Sequence, residues 1–266
     1  MVVKITGQQI EACGMVLFAK NYREKDKLVK IFTETHGKRM FFVRRAHQKN
    51  NPLNPAIQPF TEANYIMDLR PDGLSFLNSV KDVHPFFTIQ KDIFISAYAT
   101  YILNLVDVAI EDNQPDPALY GFTKQALSLL NETRDAEVIT SIFEIELLQR
   151  FGIAINWRKC AICGATQGKF DYSDSFHGIL CENDWHRDER RSHFDSRAVH
   201  FLRVFSAISY NQINQIKLSE ETKTDIRQVI DSLYEDYVGI HLKSKKFIDQ
   251  MKNWETVLKP DLKKND

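Results

Sequence analysis

The chain has 266 residues and a mass of 31.0 kDa, with 43% hydrophobic and 26% charged residues, 10 Gly and 8 Pro. That is a globular composition of one or two domains, and it excludes disordered, collagen-like and low-complexity proteins. Lys plus Arg and Asp plus Glu are 35 each, yet residues 1–80 hold 12 basic against 7 acidic side chains, so a module of net +5 precedes a body of net −5.

Residues 1–9 have no apolar segment after a basic start, which argues against a secretory signal. From residue 13 to about 80 the pattern is one of short strands and turns. Met15 to Tyr22 is apolar and β-prone, and Leu28 to Thr33 follows the charged break Arg23-Glu24-Lys25-Asp26-Lys27. His36-Gly37 is a turn, Lys38 to Ala46 a third strand, and Asn50 to Pro59 a loop with three prolines. Phe60 to Leu69, the turn Pro71-Asp72-Gly73 and Leu74 to Val80 complete the set. Five strands without a good helix predict a small closed barrel over 1–82, an OB-fold by preference, with an SH3-like barrel as the alternative.

After Pro85 the periodicity becomes helical. Helices are predicted over Phe86–Ile110, Pro117–Leu130 and Asp135–Phe151, the last closed by Gly152. The first holds the longest apolar stretch, Ile93 to Ile110. Ser96, Thr100, Asn104 and Asp107 interrupt it, so it reads as a helix facing a protein core, and no membrane association is expected. Asp195 or Ser196 caps a further helix to about Tyr210, and Ser219-Glu220-Glu221-Thr222 starts another to about Gly239. The tail from Lys243 carries seven Lys and is expected to end in disorder. The whole is read as an α+β multi-domain chain: the barrel, then a helical domain over 83–266 with a Cys-rich insert at about 157–193.

Three of the four cysteines fall in that insert. Cys160-Ala-Ile-Cys163-Gly164 has the spacing that lets two thiolates reach one ion, and Gly178-Ile-Leu-Cys181 reads as the returning strand of a zinc-ribbon-like hairpin. A four-thiolate ribbon would place its last ligand at 184, where this chain has Asp184; His186 and His177 stand nearby. One structural zinc held as Cys3Asp or Cys3His, or a site that has lost its metal, are the readings left open. Clustered thiols without an export signal fit a reducing compartment, and a cytoplasmic protein is expected.

The third strand, Lys38-Arg39-Met40-Phe41-Phe42-Val43-Arg44-Arg45, puts cations beside an aromatic ring on either face, and one of its two Phe rings is expected in the core. Cations that track phosphates beside rings that stack on bases suit single-stranded nucleic acid. The expected DNA contacts are Arg23, Lys25, Lys38, Arg39, Arg44, Arg45 and Lys49, while Glu24 and Asp26 are read as local ion-pair partners of their basic neighbours. No Walker loop, Gly-rich dinucleotide motif, nucleophile elbow or paired-acid motif occurs, so an enzyme is not expected. A scaffold whose barrel binds protein and a zinc-dependent nucleic-acid enzyme are the rival readings.

Several segments together resemble the bacterial DNA repair protein RecO family of recombination mediators. They are Gly14-Met-Val-Leu17, Tyr22-Arg-Glu-Lys-Asp26, Thr35-His-Gly-Lys38, Gln58-Pro-Phe60, Tyr101-Ile-Leu-Asn-Leu-Val-Asp107, Phe143-Glu-Ile-Glu-Leu-Leu148, Phe151-Gly152 and Cys160-Ala-Ile-Cys163-Gly164. The resemblance implies an N-terminal OB-fold, a helical C-terminal domain and a zinc ribbon that some members have lost. It also implies binding of single- and double-stranded DNA, annealing of complementary strands, and partnership with RecR and the C-terminal tail of SSB so that RecA loads onto single strands in the RecF pathway. A nucleoid-associated role in the cytoplasm goes with that. The family's fourth metal position, Cys or His where zinc is kept, is matched here by Asp184.

Overall fold

The computed structural model describes residues 7–70, 73–210, 212 and 216–258, without the side chains of 252–258. Packing divides the chain into two compact units, Met1–Arg134 with Leu242–Asp266, and Asp135–His241. The expected turn at Pro71-Asp72 and the expected disorder of the final residues, 259–266, lie outside the described residues.

The first unit is built on a closed barrel of strand order β1-β2-β3-β5-β4. The strands are β1 (Gln8–Tyr22), β2 (Asp26–Thr33), β3 (Gly37–Val43), β4 (Thr61–Leu69) and β5 (Ser75–Pro85). β1 is long because it serves two partners. Its first half pairs with β4 and its second half with β2, with a register shift between Val16 and Phe18. Gly14 stands where both partners meet: a Cβ there would lie 2.6 Å from the Ile31 side chain. Parallel pairing of Phe41 with Ser75 and Phe42 with Phe76 closes the cylinder. β5 therefore sits between β3 and β4, the Greek-key closure of an OB-fold, which decides against the SH3-like alternative.

Inside the barrel pack Val16, Val29, Ile31, Phe41, Val43, Tyr65, Met67 and Leu77. The proline-rich link between β3 and β4 winds into a short 3-10 turn, Pro55–Ile57, whose Ala56 and Ile57 plug the barrel, while Tyr65 Oη donates to Ala56 O at 2.6 Å.

Four helices complete this unit: α1 (Phe87–Lys91), α2 (Ile93–Ala109), α3 (Pro117–Asn131) and α7 (Lys243–Leu258). The single helix expected over Phe86–Ile110 is broken at Asp92. That residue is extended, and its carboxylate accepts from the backbone N–H groups of Phe94 and Ile95, so an apparent interior acid is the N-cap of α2. α2 is buried along Ala97, Tyr101, Ile102, Leu105 and Val106. No helix among the described residues is long and apolar enough to cross a membrane.

The second unit holds α4 (Ala136–Leu147), α5 (Ser196–Phe205), α6 (Glu220–Leu233) and a small sheet of order β6-β8-β7. Asp135, Asp195 and Ser219 cap the three helices with their side chains. A 3-10 turn follows α4 and ends at Gly152, whose φ of 80° is the left-handed conformation that favours glycine. α5 stops at Phe205, short of the expected Tyr210. The helices are tied by Glu144, fully buried on α4, which receives two hydrogen bonds from Arg227 of α6 at 2.5 and 3.0 Å.

Candidate nucleic-acid interface and metal centre

The β1–β2 turn and the segment after β3 form one end of the barrel. Lys27 pairs with Val43, His47 N donates to Lys25 O, and Arg45 N donates to Asp26 Oδ1 at 2.8 Å. Asp26 thus holds the turn through a backbone contact. Among the described residues neither it nor Glu24 makes the ion pair expected of it. Beyond Arg45 the chain coils through turns fixed by Asn51, whose Nδ2 donates to the carbonyls of Arg44 and Arg45 and whose Oδ1 accepts from Leu53 N. These contacts gather Arg23, Lys25, Arg44, Arg45 and Lys49, all exposed. None of the five has an ion-pair partner among the described residues.

Lys38 is a correction. It is 4% exposed, and its ammonium lies 3.1 Å from Asp107 Oδ1 and 3.4 Å from Asp112 Oδ1, with a further bond to the Asp107 carbonyl. Lys30 meets the same carboxylates at 2.6 and 3.1 Å. Two cations are thereby neutralised by two acids, Asp107 from the last turn of α2 and Asp112 from the link between α2 and α3, and neither is left for a polyanion. Burial works against the charge of Lys30, but its bonds to Asp107 and Asp112 outweigh burial and raise its pKa. Asp112 is held below its ordinary value by Lys30 and Lys38 against the opposing effect of its own burial. Gly37, next to Lys38, has a φ of +69°, and a Cβ there would fall 2.4 Å from the Gln114 carbonyl oxygen. Thr35-His-Gly-Lys38 is accordingly a docking point for the α2–α3 link. Arg39 is half-buried, donates to His36 O at 3.3 Å, and has its pKa lowered by burial.

Phe41 is the core ring of β3 and Phe42 the outer one. Phe42 meets Tyr22 edge-on at 5.9 Å and Phe76 at 5.8 Å. Arg23 lies over Tyr22 at 5.2 Å, and both Arg44 and Arg70 lie over Phe76, at 5.3 and 4.4 Å. Sequence alone gave no sign of Tyr22, Arg70 and Phe76 as part of this surface: Tyr22 reaches Phe42 across β2, Phe76 reaches it through the closure of β3 against β5, and Arg70 joins by lying over Phe76.

In the second unit, β6 (Asn156–Cys160), β7 (Phe170–Ser173) and β8 (Gly178–Cys181) form the ribbon. The Cys160–Gly164 knuckle closes through Gly164 N to Cys160 O at 3.0 Å, with Gly164 at φ +75°. Asp184 N donates to Cys181 O at 2.9 Å, a turn that returns its carboxylate to the thiols. Asp184 Oδ2 stands 3.2 Å from Cys160 Sγ and 3.3 Å from Cys181 Sγ, and Cys163 and Cys181 Sγ are 3.5 Å apart. All four donor atoms lie within 4.8 Å of one another, close enough to hold a metal ion. Ligands of tetrahedral zinc stand roughly 3.5–3.8 Å apart, given bonds of about 2.0 Å to oxygen and 2.3 Å to sulfur. The geometry and donor chemistry therefore fit zinc, and Asp184 joins the group in preference to His177 or His186.

Burial alone would raise the Cys160 thiol, but backbone N–H groups of Cys181, Cys163 and Ile162 outweigh it and bring the pKa down. Cys163 is pushed up to about 12, chiefly by the Asp184 carboxylate. Within the same insert Trp157 and Tyr172 pack at 5.9 Å, and buried Asp171 anchors its end through the N–H groups of His193 and Phe194.

Residues 8–86 match the family described as Recombination protein O N terminal, and residues 90–246 match Recombination protein O C terminal. The DNA repair protein RecO of Enterococcus faecalis is 62% identical over 257 residues, 96% of this chain and 98% of the relative. This chain belongs to the RecO family. That of Latilactobacillus sakei is 49% identical over 251 residues (94% and 92%), and that of Streptococcus gordonii 47% over 252 residues (95% and 96%). The family assignment gives the chain a role in DNA repair and recombination.

Proposed function

We propose that this protein binds single- and double-stranded DNA through the barrel end that carries Arg23, Lys25, Arg44, Arg45 and Lys49, and that it anneals complementary strands. The observation that supports this best is the contrast within one barrel. Lys30 and Lys38 are neutralised by acids, whereas the five cations at the other site are exposed and left without acidic partners among the described residues. Annealing needs no nucleotide hydrolysis. A basic surface lowers the repulsion between two phosphate backbones, and base pairing supplies the driving force. With RecR, and through the acidic tail of SSB, the protein then helps RecA take over SSB-coated single strands. A structural zinc held by Cys160, Cys163, Cys181 and Asp184 would fix the ribbon and supply no reaction chemistry.

The test is equilibrium binding of a labelled oligonucleotide across a salt series. Neutralisation of five phosphates gives a slope of log affinity against log salt of about −3.5 on single strands. Arg44→Glu with Arg45→Glu should weaken binding and annealing together while the melting temperature is unchanged. A flat salt response, or full binding by that variant, refutes the proposal.

A further inference from the structure

Arg44 and Arg70 come from different strand ends, one following β3 and the other β4, yet both guanidinium groups approach the same ring, Phe76. Both are exposed, and neither has an ion-pair partner among the described residues. Asp68, which stands opposite Phe76 across β4 and β5, pairs with neither. Two like charges gathered over one ring repel each other, and the ring's negative face offsets that only in part. Among the described residues the arrangement therefore has no carboxylate of its own, unlike the Lys30 and Lys38 pair.

The ring is itself held in place. Phe76 meets Phe42 edge-on at 80°, and Phe42 meets Tyr22 at 88°. Three rings thus run across the outer face from β5 over β3 to the end of β1, with Arg23 at the far end. Arg23 and Arg70 stand at the β1–β2 and β4–β5 connections, the loops with which OB-folds receive oligonucleotides.

We propose that Phe76 is a positioning residue that holds Arg44 and Arg70 as a two-pronged clamp for phosphates of single-stranded DNA, and that Arg70 is itself a DNA contact. The inference rests on the DNA-binding reading above and names the part of the surface that grips the backbone. Guanidinium groups favour phosphate because their planar fork meets two oxygens at once. A single strand can also lay its bases against the neighbouring rings, which a duplex keeps inside its stack.

The test uses the full chain, fluorescence anisotropy with an oligo-dT strand and with a duplex of equal length, and a melting curve for every variant. Arg70→Gln should weaken single-strand binding about 3–10-fold and make the salt slope shallower by about 0.7. Phe76→Leu should weaken binding similarly but leave the slope unchanged, because both charges remain. Phe76→Trp, which keeps a π face, should restore affinity. Arg70→Gln combined with Phe76→Leu should cost less than the product of the two single losses, since each removes the same grip. Multiplicative losses, or failure of a folded Phe76→Trp to bind better than Phe76→Leu, overturn the proposal. Arg45→Gln, outside the clamp, separates the two readings. If it weakens binding while Arg70→Gln does not, the clamp alone is wrong; if neither matters, the DNA-binding reading falls with it.

Discussion

Lys38→Met is the substitution that best separates folding from DNA binding in this barrel. Methionine keeps the length and packing of the aliphatic stem, so the change reads the ammonium group alone. That group is buried and contacts the Asp107 carboxylate, the Asp107 carbonyl and the Asp112 carboxylate. Breaking a fully buried pair costs about 3–5 kcal/mol. Here Asp107 retains Lys30 at 2.6 Å, and the Asp112 side chain is 54% exposed, so water and the second lysine recover part of the loss. A cost of about 2 kcal/mol remains, or roughly 4–8 °C in melting temperature for a chain of this size. Affinity for single strands and its salt slope should be unchanged below the transition, whereas Arg44→Gln should lower the slope by about 0.7 and leave melting untouched. Calorimetry and anisotropy on the same preparations make the comparison. A Lys38→Met protein that melts like the parent but binds DNA as poorly as Arg44→Gln would refute the assignment of Lys38 to the fold.

The same network predicts a pH profile. Asp112 is depressed below its ordinary 3.8 and Lys30 raised above its ordinary 10.5. The stability lost in Asp112→Asn should therefore be constant through neutral pH. It should fade as pH drops through the depressed pKa of Asp112, and again as pH rises through the raised pKa of Lys30; a difference that peaks near pH 7 contradicts this. Elemental analysis of protein purified without added metal should find about one zinc per chain. Asp184→Ala should lose it to a chelator about 10-fold more readily, and Asp184→Cys should keep it more tightly. A metal-free wild-type protein with an unaltered ribbon signal would argue against the site. Arg227→Met takes the guanidinium away from buried Glu144 and should cost about 3–5 kcal/mol in chemical denaturation, most of it recovered when Glu144→Gln is added; an exposed-pair cost below about 1 kcal/mol would show that water reaches the carboxylate.

Local signals in the chain carried much of this. Alternation and turn residues located all five barrel strands, Asp116-Pro117 and Ser219 marked helix starts, and Gly152 marked a helix end, because these depend on the backbone preferences of a few adjacent residues. The CxxCG knuckle and Cys181 announced the metal cluster, since ligand spacing is itself a short-range property. What no window of sequence could reveal was which charges survive folding. Lys38 lies on β3 and Arg44 directly follows it, two cations in one basic run, yet one is met by Asp107 and Asp112 from some seventy residues away and the other by the face of Phe76. Spacing already offered Asp184 as the fourth donor beside His177 and His186, and the turn that carries its carboxylate back to Cys160 is what favours it over them. An ion pair or a ring contact depends on distance in space, and that was decided when β5 closed against β3 and the α2–α3 link docked on Gly37.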